Sequence, residues 1–267
     1  MSNNSQYHED EIDLGSYIKV LIKRKATIIV IFTICVISAA LYNFLAPNVY
    51  KVEETVRIGS IGGYLISKEE AMKEIRSRDV LEPVIKQTGE HFTISELKRK
   101  LDVEEIENTP FLLVSIKHTD PDLAIAVLEG IAKNFIGKGN ELYQQRISLL
   151  EEQIKDLEER KVSVEKGIND LQYRLNSNIA STDYPLMQDT LSSYERFYSN
   201  LASQLYSEKL RLLDSKRFEL FEPPIKPEKP VEPKKKQNIV IGAILGLMLG
   251  VFAAFFKEFW ARSMSQG

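Results

Sequence analysis

Residues 26–45 read ATIIVIFTICVISAALYNFL, a run of twenty residues without Asp, Glu, Lys or Arg. A helix needs about 20 apolar residues to cross the roughly 30 Å hydrocarbon core of a bilayer. A second uncharged run, IVIGAILGLMLGVFAAFF, occupies residues 239–256. Backbone groups cannot stay unpaired in lipid, so both runs are expected to be helices. The sequence therefore predicts two membrane spans, which we place at 26–45 and 238–256.

Each span has an alternative interpretation. The first has the basic flank Lys23-Arg24-Lys25 and the small residues Ser38-Ala39-Ala40, as a cleaved signal peptide would. Its apolar run is longer than the roughly 7–15 residues of a signal, and a 25-residue polar preface is long for one. The second run could be a buried core helix, but Pro and Lys residues precede it. Two spans remain the better interpretation.

Two spans place both chain ends on one side of the membrane and the middle of the chain on the other. The Lys and Arg residues that flank the two spans number six on the side of the chain ends and seven on the side of the middle region, so charge decides the orientation only weakly. Long loops translocate largely regardless of charge, and the first helix usually dominates. We therefore predict cytoplasmic tails at 1–25 and 257–267. The middle region outside the cytoplasm contains no disulfide, because the only cysteine, Cys35, lies in the first span.

Composition excludes several functional classes. The net charge is −3 and the cations are interleaved with acids, so nucleic acid is not an expected partner. The sequence contains no GxxxxGK[ST], GxSxG or HExxH motif, and His8, His91 and His118 are too dispersed to suggest a metal site. We expect no catalytic residues, no cofactor and no metal, and hence a protein that is not an enzyme.

The middle region begins with strand patterns. Val49–Ile58 alternates, with Val52, Val56 and Ile58 on one face and Glu54 interrupting it. Phe111–His118 is a second predicted strand, and Phe218–Phe221 is a short one expected to return beside the first. These strands predict a membrane-proximal α/β base at 46–120, completed by 216–222.

Capping residues predict where the helices of the base begin. Ser67 and Glu70 have capping-box spacing, for a helix running to about Arg78. Asp79 is the expected cap of the next helix, which ends before Gly89, and Thr93 or Ser95 begins a third.

Residues 121–215 predict a long antiparallel helical hairpin. Asp120 is the expected cap, with Pro121 at the first helical position, and Gly137 and Gly139 are a weak point of the predicted helix. Beyond them a heptad pattern predicts a coiled-coil seam with one defect at Lys161. Its apolar positions are Ile147, Leu150, Ile154, Leu157, Val164, Ile168, Leu171 and Leu175. A loop at 176–185 leads to a second helix with the same spacing.

The outer surface of the hairpin predicts self-association. A single helical hairpin buries only one stripe on each helix, and Tyr194, Phe197 and Tyr198 are aromatic residues that need further partners. The alternative is that base and hairpin cover each other within a monomer. We favour a homo-oligomer.

Two further patterns surround the second span. A proline-rich spacer at 223–237 is expected to be extended and semi-rigid; its prolines are Pro223, Pro224, Pro227, Pro230 and Pro233. Within the span, Gly242, Gly246 and Gly250 recur every four residues, which predicts close packing against the first span or against a neighbouring copy. Phe255, Phe256, Phe259 and Trp260 are expected to anchor the helix end at the membrane interface.

The order of these parts resembles the Wzz-type chain-length determinants, or polysaccharide co-polymerases, of Gram-negative bacteria. The most specific parts are Asp13–Lys25 (DLGSYIKVLIKRK) and Pro223–Phe256, with its proline run, KKK and glycine-spaced helix. The resemblance implies an inner-membrane protein with a periplasmic domain that associates as a ring. It also implies partners, a Wzy-type polymerase and its nascent glycan, and a function, control of polymer length.

The resemblance leaves alternatives open. Some related co-polymerases carry a fused cytoplasmic tyrosine kinase after the second span, which the eleven residues beyond Phe256 do not predict here. An adaptor for a separate tyrosine kinase in capsule or exopolysaccharide export is the second hypothesis, and a two-span sensory receptor is the third. Whether the polymer is O antigen, capsule or exopolysaccharide stays open.

Overall fold

The computed structural model describes residues 14–89, 92–177 and 183–264. It divides into two compact units, residues 51–228 and residues 1–50 together with 229–267, here called the body and the membrane unit. In chain order the elements are α1 (Leu14–Lys23), α2 (Lys25–Leu45), β1 (Tyr50–Arg57), α3 (Lys68–Ile75), α4 (Arg78–Thr88), α5 (Ile94–Lys100), β2 (Leu101–Glu105), β3 (Phe111–His118), α6 (Pro121–Ser177), α7 (Tyr184–Leu213), β4 (Glu219–Glu222) and α8 (Lys235–Met264).

The membrane unit consists of α1, α2 and α8. Both α2 and α8 are long and apolar enough to cross a membrane. The second helix is longer than the predicted span 238–256, because polar residues at both of its ends also adopt helical backbone. Helix α1 was not predicted, because it lies within the segment 1–25 that was predicted only as a cytoplasmic tail. The strongly amphipathic pattern of its sequence could have indicated a helix.

The body contains a small sheet with the strand order β2-β3-β1-β4. The pairs β2–β3 and β1–β4 are antiparallel, so the predicted return strand does pair with β1. Strand β2 was not predicted: its sequence LDVEE is short and mostly acidic, and its burial alternates only over Leu101 and Val103.

One apolar cluster forms the core of the body. It joins Val52 and Val56 of β1 to one face of β3 and to the first turns of α6. On β3 the apolar side chains of Leu112, Val114 and Ile116 are buried on one strand face, as the sequence predicted, and Ser115 on the other face is also buried. The base is therefore a small antiparallel sheet covered by helices.

The helix starts of the body follow their caps. Ser67 and Thr93 form capping boxes with Glu70 and Glu96. The Asp120 carboxylate accepts hydrogen bonds from the first turn of α6. The prediction for α4 was wrong: its cap is Ser77, whose hydroxyl accepts from the Val80 amide. A Ser cap at position 77 also explains why α3 ends at Ile75, before the predicted Arg78.

Helices α6 and α7 lie side by side and antiparallel. Lys209 of α7 pairs with Glu158 of α6 at 2.6 Å, and the Lys161 ammonium lies 5.2 Å from the centre of the Tyr198 ring. Helix α6 continues through Gly137 and Gly139 without interruption, over 57 residues. Part of the predicted loop, residues 178–182, lies outside the described residues. The supercoil of a true coiled coil stays a prediction.

Candidate functional site: the paired membrane helices and the surface of the body

The glycines of α8 face α2 of the same chain. A Cβ atom added at Gly246 would lie 2.8 Å from the Cβ of Cys35, and one at Gly250 would lie 3.0 Å from the carbonyl oxygen of Ile28. A Cβ at Gly242 would lie 2.8 Å from that of Ala39. Any side chain larger than hydrogen at these positions would push the helices apart. The sequence left open whether the glycines pack against the first span of the same chain or against a neighbouring copy, and in the structure they pack against α2 of the same chain. Small residues at the contact are typical of helices that pack together in lipid.

A polar contact joins the two helices at one end. Asn43 of α2 is 7% exposed, and its side-chain oxygen accepts a hydrogen bond from the Asn238 amide at 2.6 Å. Its own amide donates to the backbone carbonyl of Lys235 at 3.1 Å. Both groups of Asn43 are thereby satisfied, as a polar side chain in an apolar setting requires.

A charged cluster joins them at the other end. The Glu258 carboxylate accepts from the Lys23 ammonium at 2.7 Å and from the Arg24 guanidinium at 3.0 Å, with Arg262 at 3.4 Å. The Glu258 side chain is only 6% exposed, so these cations compensate a carboxylate that is largely removed from solvent. The contact connects the start of α2 with the last turns of α8.

Sequence reasoning missed both polar contacts. Asn43 and Glu258 stand out only weakly, as an amide inside an uncharged run and an acid just beyond one. Apart from Arg262, their partners lie more than 190 positions away in the sequence, so no local pattern could predict the contacts between the helices.

The predicted aromatic group of α8 is mostly exposed. Phe259 is 71% exposed and Trp260 55%. Phe255 instead meets Tyr17 of α1 edge-on, with ring centres 5.7 Å apart. Helix α1 also buries Val20, so α1 is packed on this end of the membrane unit.

The predicted seam residues are the less exposed positions of the distal part of α6. The buried ones are Ile147, Leu150, Ile154, Val164 and Leu175, and the partly buried ones are Leu157, Ile168 and Leu171. Leu150 and Ile154 form a cluster with Leu205 of α7. Gly167 accommodates the Tyr194 ring, which a Cβ atom there would approach to 2.8 Å.

Several large apolar side chains of the hairpin have little cover. Phe197 is 52% exposed and Tyr194 41%. On the same hairpin Tyr173 is 73% exposed and Tyr206 66%. Scattered apolar residues are ordinary on protein surfaces, but aromatic ones in this number are typical of contact surfaces.

The proline-rich spacer makes contacts within each unit. In the body, the Lys226 ammonium pairs with the Asp122 carboxylate at 2.7 Å. In the membrane unit, the amide of Val231 donates to the carbonyl of Val49 at 2.8 Å, and the amide of Val49 donates to the carbonyl of Glu232 at 3.0 Å. Among the spacer prolines, Pro223 and Pro224 directly follow β4 and Pro227 comes just after Lys226, whereas Pro230 and Pro233 flank the contact with Val49.

Glu54 is a buried acid in the core of the body. Its residue is 1% exposed, and neither carboxylate oxygen has a hydrogen-bond partner among the described residues. Burial raises the pKa of this carboxyl to about 9, and the nearby Glu129 carboxylate acts in the same direction. The side chain is therefore neutral at neutral pH.

No group of three or more His, Cys, Asp or Glu side chains is placed to hold a metal ion within residues 14–89, 92–177 and 183–264. His8 and His91 lie outside those ranges. His118 accepts from the amide of Asp120 beside the start of α6, which is a structural contact.

Comparison with known proteins adds one family match. Residues 10–88 match the family model described as "Wzz: Chain length determinant protein". No curated protein sequence matches the chain.

Matches among solved structures include two polysaccharide co-polymerases and one O-antigen chain-length regulator. A full-length bacterial polysaccharide co-polymerase is 18% identical, with 95% of this chain and 99% of that chain covered and a TM-score of 0.42. A fragment of WzzB from Salmonella Typhimurium is 13% identical over 69% of this chain and 100% of its own, with a TM-score of 0.28. A point mutant of the Shigella flexneri lipopolysaccharide O-antigen chain-length regulator is 17% identical over 68% and 99%, with a TM-score of 0.23.

Proposed function

We infer that this chain, whose residues 10–88 match the model of the Wzz chain length determinant family, regulates the length of a surface polysaccharide. The family match is the observation that carries the inference. It confirms the resemblance in the part of the chain that contains Asp13–Lys25 and the first span.

On this proposal the protein is a scaffold in the inner membrane, with both tails in the cytoplasm and the body in the periplasm. Two helices suited to cross a membrane support this arrangement. Close packing along the α8 glycines, with polar contacts at both ends, supports a paired anchor. On this proposal the anchor holds the protein in the membrane while a Wzy-type polymerase extends the glycan.

The body is proposed to act as a ring of identical copies. Support comes from the exposed aromatic residues of the hairpin, which a neighbouring hairpin could cover. Helix α7, the shorter arm of the hairpin, has 30 residues and at 1.5 Å per residue is about 45 Å long, so a ring of hairpins would be a raised wall. Such a wall can bias the polymerase or the growing glycan toward a preferred length without chemistry of its own.

Gel electrophoresis of the surface polysaccharide in a deletion strain tests the proposal. We expect the narrow length distribution of the parent to become broad, and a plasmid copy of the gene to restore it. An unchanged distribution in the deletion strain would contradict the proposal. Loss of all polymer, rather than a change of length, would favour a role in synthesis or export over length control.

A further inference from the structure

A cleft of about 410 Å³ lies in the body between the loop after β1 and the first part of the hairpin. One wall is the loop segment Ile61–Leu65. The other wall comes from α6 and α7, with Arg146, Gln153 and Arg211 as its polar side chains. The family match ends before α6 and α7 and so assigns these side chains no role.

The loop wall is held in place by backbone hydrogen bonds. Ser60 exchanges two of them with Lys216, at 2.7 and 2.8 Å, and the Leu65 amide donates to the Gly59 carbonyl at 2.9 Å. Gly62 has a φ of +67°, which glycine adopts without strain. A Cβ atom at Gly62 would also lie 2.8 Å from the Arg211 Nε atom. Glycine therefore lets the Arg211 side chain lie directly on the loop.

The cleft is positively charged. Two arginines line it and no carboxylate does. Arg211 is held from its own helix by Glu208 at 2.7 Å, which leaves other guanidinium N–H groups for a ligand. Arg146 is exposed and has no ion pair or hydrogen bond within the described part of the chain. The Tyr64 ring is 50% exposed beside them.

We propose that this cleft binds an acidic sugar unit of the growing polysaccharide, with Arg146 and Arg211 pairing with its carboxylate. The proposal rests on the proposed function, which makes a glycan the molecule at hand. The planar guanidinium matches a carboxylate with two parallel hydrogen bonds. Tyr64 offers a ring face to the apolar face of a sugar and a hydroxyl to its oxygens, while the Gln153 amide can both donate and accept.

The two guanidinium groups of the cleft favour a negatively charged sugar over a neutral one. A neutral sugar would leave the guanidinium of Arg146 without a counter-charge, whereas a uronate supplies it. Because the cleft is open to solvent, the interaction is screened by salt, and binding should weaken as the ionic strength rises.

Isothermal titration of the purified full-length protein in detergent tests the proposal with tetragalacturonate, maltotetraose and inorganic phosphate. We expect saturable binding of tetragalacturonate and none of maltotetraose. Arg146→Gln should weaken tetragalacturonate binding at least tenfold, about the loss expected from one charge-assisted hydrogen bond. Arg196→Gln is the matched control, because Arg196 is also an exposed arginine of the hairpin but does not line the cleft; it should bind like the parent protein.

Three results would overturn the assignment. The first is equal binding of tetragalacturonate by the parent and Arg146→Gln. The second is competition by inorganic phosphate at the concentration of the sugar, which would make the cleft a general anion site. The third is a changed oligomer mass in Arg146→Gln with sugar binding retained, which would place Arg146 between copies.

The proposed function and the cleft can fail separately. An unchanged polymer length in the deletion strain removes the proposed function. A changed length in that strain, together with sugar binding that ignores Arg146, overturns the cleft alone.

Discussion

The membrane unit pairs its most buried polar side chains, whereas the body leaves one buried carboxyl group, that of Glu54, without a hydrogen-bond partner among the described residues. In the membrane unit, Asn43 and Glu258 are both buried and both fully engaged with partners on other helices. In the body, Glu54 is buried at the centre of a strand with no hydrogen-bond partner among the described residues. Asn43 and Glu258 of the membrane unit therefore join helices, whereas Glu54 of the body costs stability.

The two regions also differ in how their helices meet. In the membrane unit, glycines bring α8 to within backbone contact of α2. In the hairpin, α6 and α7 meet through large side chains along one seam, and aromatic residues beside it stay exposed. The membrane pair is therefore complete in one chain, and the hairpin has surface left for a partner. Four experiments test this contrast, in order of decreasing expected effect on stability.

Glu54→Gln should stabilise the body at neutral pH. The folded-state pKa of Glu54 is raised from 4.5 to about 9, so above pH 4.5 the unfolded chain ionises and the folded chain does not. The stability contributed by the protonated group is complete below pH 4.5 and is lost as the pH rises toward 9. At 1.36 kcal/mol per pH unit the loss reaches about 3 kcal/mol at pH 7.

Thermal unfolding of the full-length protein between pH 4.5 and 8 measures this effect. Glu54→Gln should unfold at a higher temperature than the parent at pH 7 and at nearly the same temperature at pH 4.5. Glu53→Gln is the control, because Glu53 is the neighbour of Glu54 in the sequence but its side chain is exposed. This variant should have the same dependence of unfolding temperature on pH as the parent protein. If the unfolding temperatures of Glu54→Gln and the parent protein changed with pH in the same way, the Glu54 carboxyl group would have to be paired with another group or hydrated.

Gly246→Leu should destabilise the membrane unit by about 1–3 kcal/mol, the usual cost of overpacking. The new side chain would collide with Cys35 and Phe32, so α2 and α8 must separate. Near-ultraviolet circular dichroism of the body should not change, whereas the polymer length should shift. Met248→Leu, on an exposed position of the same helix, is the matched control. Parent-like thermal stability of Gly246→Leu would contradict the backbone contact.

A double-mutant cycle on Asn43 and Asn238 should give a coupling free energy of about 0.6 kcal/mol, the average for hydrogen bonds between membrane helices, and at most about 1.7 kcal/mol. Asn43→Ala, Asn238→Ala and the double variant are compared by unfolding in detergent. Since each single variant leaves the other amide without its partner, the double variant should lose less than the sum. Strict additivity would mean that the two amides do not interact.

Phe197→Ser should change the stability of the monomer by less than about 0.5 kcal/mol, because the side chain is half exposed. If the hairpin surface joins copies, the oligomer mass measured by native mass spectrometry should fall. The control Glu195→Gln alters a neighbouring exposed position and should keep the mass. An unchanged oligomer mass in Phe197→Ser would contradict the proposal that this aromatic surface joins copies of the chain.

Local patterns predicted elements where one residue set dominates. Phe111–His118 was predicted with the observed bounds, because its alternation and the preceding proline leave no other structure. The bounds of the first span differ from those of α2 by a single residue. β2 was missed because five mostly acidic residues make a strand only when β3 is there to pair with them.

Contacts between distant residues could not be predicted in the same way. The sequence marked Glu54 as an interruption of an apolar face, but its burial depends on helices that follow much later in the chain. The cleft at Arg146 and Arg211 was missed because its two walls are brought together by the Ser60–Lys216 hydrogen bonds. The glycine repeat predicted close helix packing but left its partner open.

Cysteine labelling tests most directly the central claim that two spans hold the body outside the cytoplasm. Cys35 is the only cysteine, so Cys35→Ser gives a background without thiols. In that background Tyr173→Cys marks an exposed position of the body, and Ser5→Cys marks the N-terminal tail. We expect a membrane-impermeant maleimide to label Tyr173→Cys in intact spheroplasts and Ser5→Cys only after lysis. The reverse pattern would contradict the account.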